Sequence, residues 1–226
     1  MSRRSKRYRN ARQQIDRERR YGVREAVELM KSFDSAKFDE TVELAVQLGI
    51  DPKDSDQQVR SSITLPHGTG QSVRVAVFAE GGEAEDARDA GADFVGGDDL
   101  IERVEDGWME FDVALTIPSM MQKVGRLGRF LGPRGLMPTP KNGTVREDIG
   151  NGVKEFKAGK VELRNDDTGN IHAPIGKLSF DTSDLEDNVN ELINHLRIEK
   201  PLGVSGRYFQ NIVLSSTMGP GIKLKI

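Results

Sequence analysis

The chain has 226 residues, no cysteine, 36% hydrophobic residues and a formal net charge of −3. That length holds two modest domains or one large one, the absence of thiols excludes a disulfide framework and a thiolate metal site, and no run of eighteen apolar residues is present to span a membrane. The opening MSRRSKRYRNARQQ has no apolar segment behind its charges, so no secretory signal is read and the cytoplasm is the expected location.

The small net charge hides blocks of opposite sign. Residues 1–24 hold ten Arg or Lys against Asp16 and Glu18, whereas residues 80–112 hold thirteen Asp or Glu against Arg88 and Arg103. The opening segment, with Arg3, Arg4, Lys6, Arg7, Arg9 and Arg12 around Tyr8, is too polar to fold alone. It reads as an arm that docks on the body or lies on a polyanion. From Gly22 the spacing of Val23, Ala26, Val27 and Met30 predicts a helix that Asp34 and Ser35 end. Residues 37–51, KFDETVELAVQLGID, alternate with Val42, Leu44, Val46, Leu48 and Ile50 on one face, the pattern of a half-buried strand. Val59, Ile63 and Leu65 predict a second strand, paired with the first as a hairpin through residues 51–56.

After the Pro and Gly cluster PHGTGQ the pattern changes. Residues 73–79, VRVAVFA, are almost wholly apolar, as in a sheet covered on both faces. Helical and strand segments then alternate at residues 83–90, 94–95, 100–104 and 113–117, predicting a small parallel α/β unit of Rossmann type. Residues 117–146, IPSMMQKVGRLGRFLGPRGLMPTPKNGTVR, contain Lys123, Arg126, Arg129, Arg134, Lys141 and Arg146 and no carboxylate. Their five glycines and four prolines predict a loop that leaves regular helix and strand geometry. A helix follows at residues 147–156, and KAGK closes the unit. Alternation returns at Val161 and Leu163, at residues 171–175 and at Leu178 and Phe180. A long helix then starts at Ser183, whose hydroxyl with Glu186 forms a capping box. Two final strands, residues 208–215 and 222–226, flank STMGPG. The predicted architecture is an outer α+β domain built from residues 1–66 and 160–226, with an α/β domain inserted at residues 67–159.

No catalytic constellation is visible. The glycines of residues 117–146 give neither G-x-G-x-x-G nor G-x-x-x-x-G-K-[ST]. His67, His172 and His195 have no metal-ligand spacing, and Ser205 in GVSG is not a nucleophile elbow. No cofactor is expected. Cationic side chains on glycine-containing backbone track phosphates, and the hydroxyls and glycines of STMGPG suit recognition of RNA by shape and 2′-hydroxyl, although that loop alone is also an ordinary hairpin turn. An α/β enzyme acting on a phosphorylated substrate lacks catalytic residues here, and a protein-binding adaptor leaves the arginine-rich segments unexplained.

The segment GRFLGPRGLMPTPKNGTV, with IPSMM before it, is similar to the signature of the large-subunit ribosomal protein L-one family, the lateral stalk protein. KFDETVELAVQLGID, VRSSITLPHGTGQSVRVAVFA, AGADFVGGDDLI, RNDDTGNIHAPIGKLSF and STMGPG also resemble family segments in the family's order, over about residues 8–223. The resemblance implies a non-enzymatic bacterial protein whose terminal domain grips folded large-subunit ribosomal RNA in the ribosome. It further implies help in releasing deacylated tRNA from the exit site and repression of its own operon mRNA. The residues it singles out for RNA are Lys37, Phe38, Thr41, Glu43, Thr217, Met218 and Gly219, with His172 as a weaker candidate; Ser215 joins them from the hydroxyls beside the terminal loop. Lys123, Arg126, Arg129, Arg134 and Lys141 form a secondary cationic loop.

Overall fold

The computed structural model describes residues 5–225. Arg3, Arg4 and Ile226, assigned above to the arm and the last strand, lie outside them. In chain order the elements begin α1 (Lys6–Gln13), α2 (Val23–Lys31), β1 (Thr41–Leu48), β2 (Arg60–Thr64), β3 (Val75–Phe78), α3 (Gly82–Asp89), β4 (Phe94–Gly96), α4 (Asp98–Glu105) and β5 (Val113–Thr116). They continue with α5 (Met121–Val124), α6 (Gly128–Leu131), α7 (Ile149–Lys157), β6 (Lys160–Arg164), β7 (Asn170–Lys177), α8 (Thr182–Ile198), β8 (Phe209–Ser216) and β9 (Ile222–Lys223). None of the described helices is long and apolar enough to cross a membrane.

Two compact units result, one of residues 1–70 with 161–226 and one of residues 71–160. A buried side chain explains why 67–70 go with the first. Asn188 of α8 is fully buried, its Oδ1 accepts from His67 N at 3.1 Å, and its Nδ2 donates to Gly68 O at 3.0 Å and Ile175 O at 2.8 Å. One amide thus ties the Pro66 turn to a helix and a strand of the terminal unit.

In the terminal unit a four-stranded antiparallel sheet runs in the order β7-β1-β8-β9. The alternation of β1 has its expected cause: Val42, Leu44 and Val46 are fully buried, each contributing about 1.5–3 kcal/mol against exposure, while Thr41, Glu43 and Ala45 lie on the opposite face. On the core side β7 adds Ile171, Ala173 and Ile175, β8 adds Ile212 and Leu214, and α2 and α8 supply Val27, Met30, Leu185, Val189, Leu192 and Leu196.

The expected hairpin is not formed. Both edges of β1 are occupied, by β7 and β8, so β2 pairs with β6 in a separate two-stranded sheet. Leu178 and Phe180 lie beyond the end of β7, where Phe180 N bonds back to Lys177 O. The capping box is also absent. Asp181, in extended geometry, is the N-cap of α8, so Ser183 sits inside the first turn and its hydroxyl bonds to Asp184. The arginine-rich arm is helical in part: Ser5 Oγ accepts from Tyr8 N, and Ala11 of α1 is buried in the terminal core.

The second unit has a parallel sheet in the order β4-β3-β5. Val75, Ala76, Val77 and Phe78 are all fully buried, the reason β3 reads as a continuous apolar run. Residues 118–131 depart from the loop expected there. The short 3-10 turns Pro118–Met120 and Gly125–Leu127 join α5 and α6 into consecutive helical turns. Met120, Val124, Leu127 and Leu131 recur at helical spacing and are buried, and that burial overrides the low helix propensity of Gly125 and Gly128. The chain then returns to the sheet, with Thr116 N bonding to Thr144 O and Arg146 N to Thr116 O beside β5.

Candidate nucleic-acid interface

The register of the antiparallel sheet brings together residues far apart in sequence. On the face opposite the core, Glu43 of β1 is opposite Ser215 of β8, and Ala45 is opposite His172 of β7. Glu43 is opposite Pro174 of β7, so His172 is its diagonal neighbour across the pair and its ring reaches Glu43, with Nδ1 2.7 Å from Oε1. If that nitrogen carries the proton it donates to the carboxylate and leaves Nε2 for a ligand. Both side chains are about half exposed, at 56% and 46%.

The segment 37–40 and the turn 217–221 meet at the end of this sheet. Asp39 accepts from Ser179 N at 3.1 Å and from Ser179 Oγ at 2.7 Å, fixing the chain before β1 against the chain after β7. Phe38, next to it, stands 54% exposed, and Lys37 is exposed beside it. Across the sheet, Thr217 N donates to Thr41 O at 3.0 Å, and Thr41 N donates to Thr217 Oγ1 at 3.0 Å. The Thr217 hydroxyl therefore clamps the loop to β1. Met218 projects 51% exposed beyond it, and Lys177 Nζ donates to Thr41 Oγ1 at 2.9 Å.

Sequence reasoning passed over the residue that holds these pieces. Glu40 is only 2% exposed; its Oε1 accepts from Ala36 N at 2.7 Å, and its Oε2 accepts from Ser216 Oγ at 2.7 Å and Met218 N at 3.0 Å. Burial pushes this carboxyl up, but the bonds from Ser216, Met218 and Ala36 and the charge of Arg7 outweigh it and hold the group below its ordinary value. Three donors from both ends of the chain converge on one charge. The sequence signal was the period-2 count: with Val42 inward, Glu40 is inward too. Gly219 belongs to the same arrangement. A Cβ there would fall on Ser216 Oγ, the hydroxyl that Glu40 holds.

The face is polar, with two exposed hydrophobic side chains, cations at Lys37 and Lys177, and acceptor groups at Glu43 and Ser215. It offers hydrogen-bond acceptors for hydroxyls, cations for phosphates and apolar contacts for sugar or base faces. Such a surface can bind a folded polyanion, and it has no nucleophile-and-base pair. Among the described residues no cluster of three or more His, Cys, Asp or Glu is arranged to hold a metal ion.

The secondary cationic side chains lie on the other unit, and they differ among themselves. Lys123 is committed to Asp98 and Glu80, at 2.8 and 3.3 Å, and those carboxylates raise its pKa. Arg146 is paired with Glu155 at 2.9 Å. Arg126, Arg134 and Lys141 are exposed, and Arg129 lies over the Phe130 ring at 4.7 Å. None of these four has an ion pair among the described residues.

Comparison with known proteins adds an independent line. Residues 30–220 match the family described as the ribosomal protein L1p/L10e family. The chain is 54% identical over 224 residues to a protein of Kosmotoga olearia called large ribosomal subunit protein uL1, covering 99% of this chain and 97% of that protein. Proteins of the same name from Thermosipho melanesiensis and Thermosipho africanus are 52% and 51% identical, each over 225 residues and with the same coverage.

Proposed function

The chain belongs to the ribosomal protein L1p/L10e family, and from that premise we propose that it is a structural constituent of the large ribosomal subunit whose terminal unit grips folded ribosomal RNA. The observation that carries the reading is the convergence of segment 37–43 with turn 217–219 around Glu40. Pieces from opposite ends of the chain are held in one geometry, with Phe38 and Met218 turned outward. In this reading Phe38 and Met218 pack on sugars or bases, and Lys37 meets phosphate. Glu43, oriented by His172, accepts a 2′-hydroxyl, with Ser215 beside it. Thr217 and Thr41 position the loop, and Gly219, by lacking a Cβ, leaves Ser216 Oγ its place on Glu40. Recognition rests on the shape of a folded RNA more than on its base sequence.

The finer roles follow from the family resemblance. The protein works in the cytoplasm on the mobile lateral stalk, assists release of deacylated tRNA from the exit site, and represses translation by binding a mimic of its ribosomal site in its own operon mRNA. The free cations Arg126, Arg129, Arg134 and Lys141 form a second surface for ribosomal or transfer RNA. Lys123 is withdrawn from that set by its carboxylate partners.

The test is binding of a folded large-subunit ribosomal RNA fragment over a series of salt concentrations, beside a scrambled RNA of equal length. Tight binding that requires the fold, with log K falling linearly in log salt, is the expected result. Weak binding indifferent to fold and sequence would remove the reading. A gel shift with the protein's own mRNA leader tests repression separately, and no shift would remove that role alone.

A further inference from the structure

The arginine-rich N-terminal segment is the one motif that this function leaves without a task. Helix α1 lies beside the terminal loop, where Arg7, Tyr8 and Ala11 share a shallow contact region with Met218, Gly219 and Pro220. Just past that contact, between α1 with the chain that follows it and residues 220–223, opens a cavity of ≈ 250 Å³. Its lining divides by chemistry. Tyr8, Ile15 and Pro220 supply flat or apolar wall, Arg12, Arg17 and Lys223 supply cations, and Asp16 supplies one carboxylate. Among the described residues none of the three cations is ion-paired with a carboxylate, and Lys223 Nζ reaches only the Arg17 carbonyl, at 3.2 Å. Asp16 holds Glu18 N through Oδ1 at 3.0 Å, and its other oxygen makes no bond among those described.

We propose, resting on the RNA reading above, that this cleft takes one unstacked nucleotide of the bound RNA. Its base lies along Tyr8 between Ile15 and Pro220, its flanking phosphates lie on Arg12, Arg17 and Lys223, and Asp16 accepts from an N–H edge of the base. The size of the cavity is near the lower end for ligand pockets and fits a single base with its sugar. Three cations against one carboxylate favour a phosphodiester, and an aromatic wall gives the stacking that a bare inorganic anion does not use. Position supports the same ligand. Pro220 lines both the cleft and the contact region that holds Met218 and Gly219, so the cleft adjoins the loop of the principal site.

Two paired variants of the full chain separate a built subsite from diffuse charge. Arg12→Gln with Arg17→Gln removes cleft cations, whereas Lys6→Gln with Arg9→Gln removes the same charge from exposed positions of α1 outside the cleft. The cleft pair is expected to weaken binding of the folded ribosomal RNA fragment about tenfold beyond the control pair, which acts only through its share of the salt slope. Tyr8→Ala is expected to weaken it by about tenfold, with Tyr8→Phe near wild type. RNA carrying 4-thiouridine is expected to photocrosslink to the peptide of residues 5–17 in the wild type and to lose that adduct in Tyr8→Ala. Equal weakening by the two pairs, or no adduct on this peptide, overturns the subsite. If Met218→Ala abolishes binding while the cleft variants do nothing, the subsite fails and the RNA reading stands. If the wild type does not discriminate folded from scrambled RNA, both fail.

Discussion

Glu40→Gln is the most informative single substitution, because it keeps the shape of the side chain and removes one acceptor. The carboxylate serves Ala36 N on one oxygen and Ser216 Oγ with Met218 N on the other. A glutamine has a single acceptor oxygen, and either orientation turns its NH₂ toward a backbone N–H. The cheaper orientation keeps the Ser216 and Met218 bonds and faces the amide at Ala36 N. An unmet donor in such a place costs about 1–3 kcal/mol, and the two remaining bonds lose their charge assistance, so the total is about 3 kcal/mol. Urea unfolding measures it directly, with the variant expected to lose stability at unchanged m-value. The pH dependence supplies the sign. The carboxyl of Glu40 is held below its ordinary value of 4.5, so its contribution is present above that pH and is lost as pH falls through the depressed value. The difference between wild type and variant should therefore hold at pH 5–7 and shrink only in stronger acid. Affinity for the folded RNA should fall with it, since Met218 and Phe38 lose their common support. Wild-type stability and affinity in Glu40→Gln at pH 7 would refute the claim that this carboxylate organises the site.

Three other outcomes follow from the same geometry. Gly219→Ala should cost stability and RNA affinity by pushing Ser216 Oγ off Glu40, and Ser216→Ala in the same chain should recover part of the loss, a non-additivity that a double-mutant cycle reads. Asp166, held at a pKa of about 2 chiefly by the backbone N–H of Asn170 and by Thr168, stabilises the β6–β7 turn above pH 4, so the deficit of Asp166→Asn should be present in full at pH 6, shrink as pH falls toward 2 and vanish only below it in acid-unfolding curves. Met218→Ala or Thr217→Ala should weaken specific RNA binding far more than Arg126→Ala, whose effect should be confined to the salt slope; equal losses would move the main site to the other unit.

What the sequence disclosed and what it withheld divide along physical lines. The strand β1 was legible because one face meets the core and the other does not, and β3 because both faces are covered. The partner of β2 was not, since pairing between residues about one hundred positions apart leaves no local mark and a nearby strand looked sufficient. Ser183 and Glu186 do form the capping pattern, yet Asp181 two residues earlier takes the N-cap. In residues 117–146 the glycines and charges drew attention from Met120, Val124, Leu127 and Leu131, whose helical spacing fixes the backbone. The proposed interface was reachable through its outward residues, recognised by family resemblance. Its organising residue, Glu40, was hidden as one acid among several in KFDETVE, and only the burial of its carboxylate under Met218 sets it apart.

Backbone hydrogen exchange of the full chain, with and without the folded ribosomal RNA fragment, tests most directly where the RNA lies. Protection is expected to rise at residues 36–43 and 215–219, with smaller changes at residues 125–141. Protection confined to residues 125–141, with the ends of β1 and β8 unchanged, would contradict this placement.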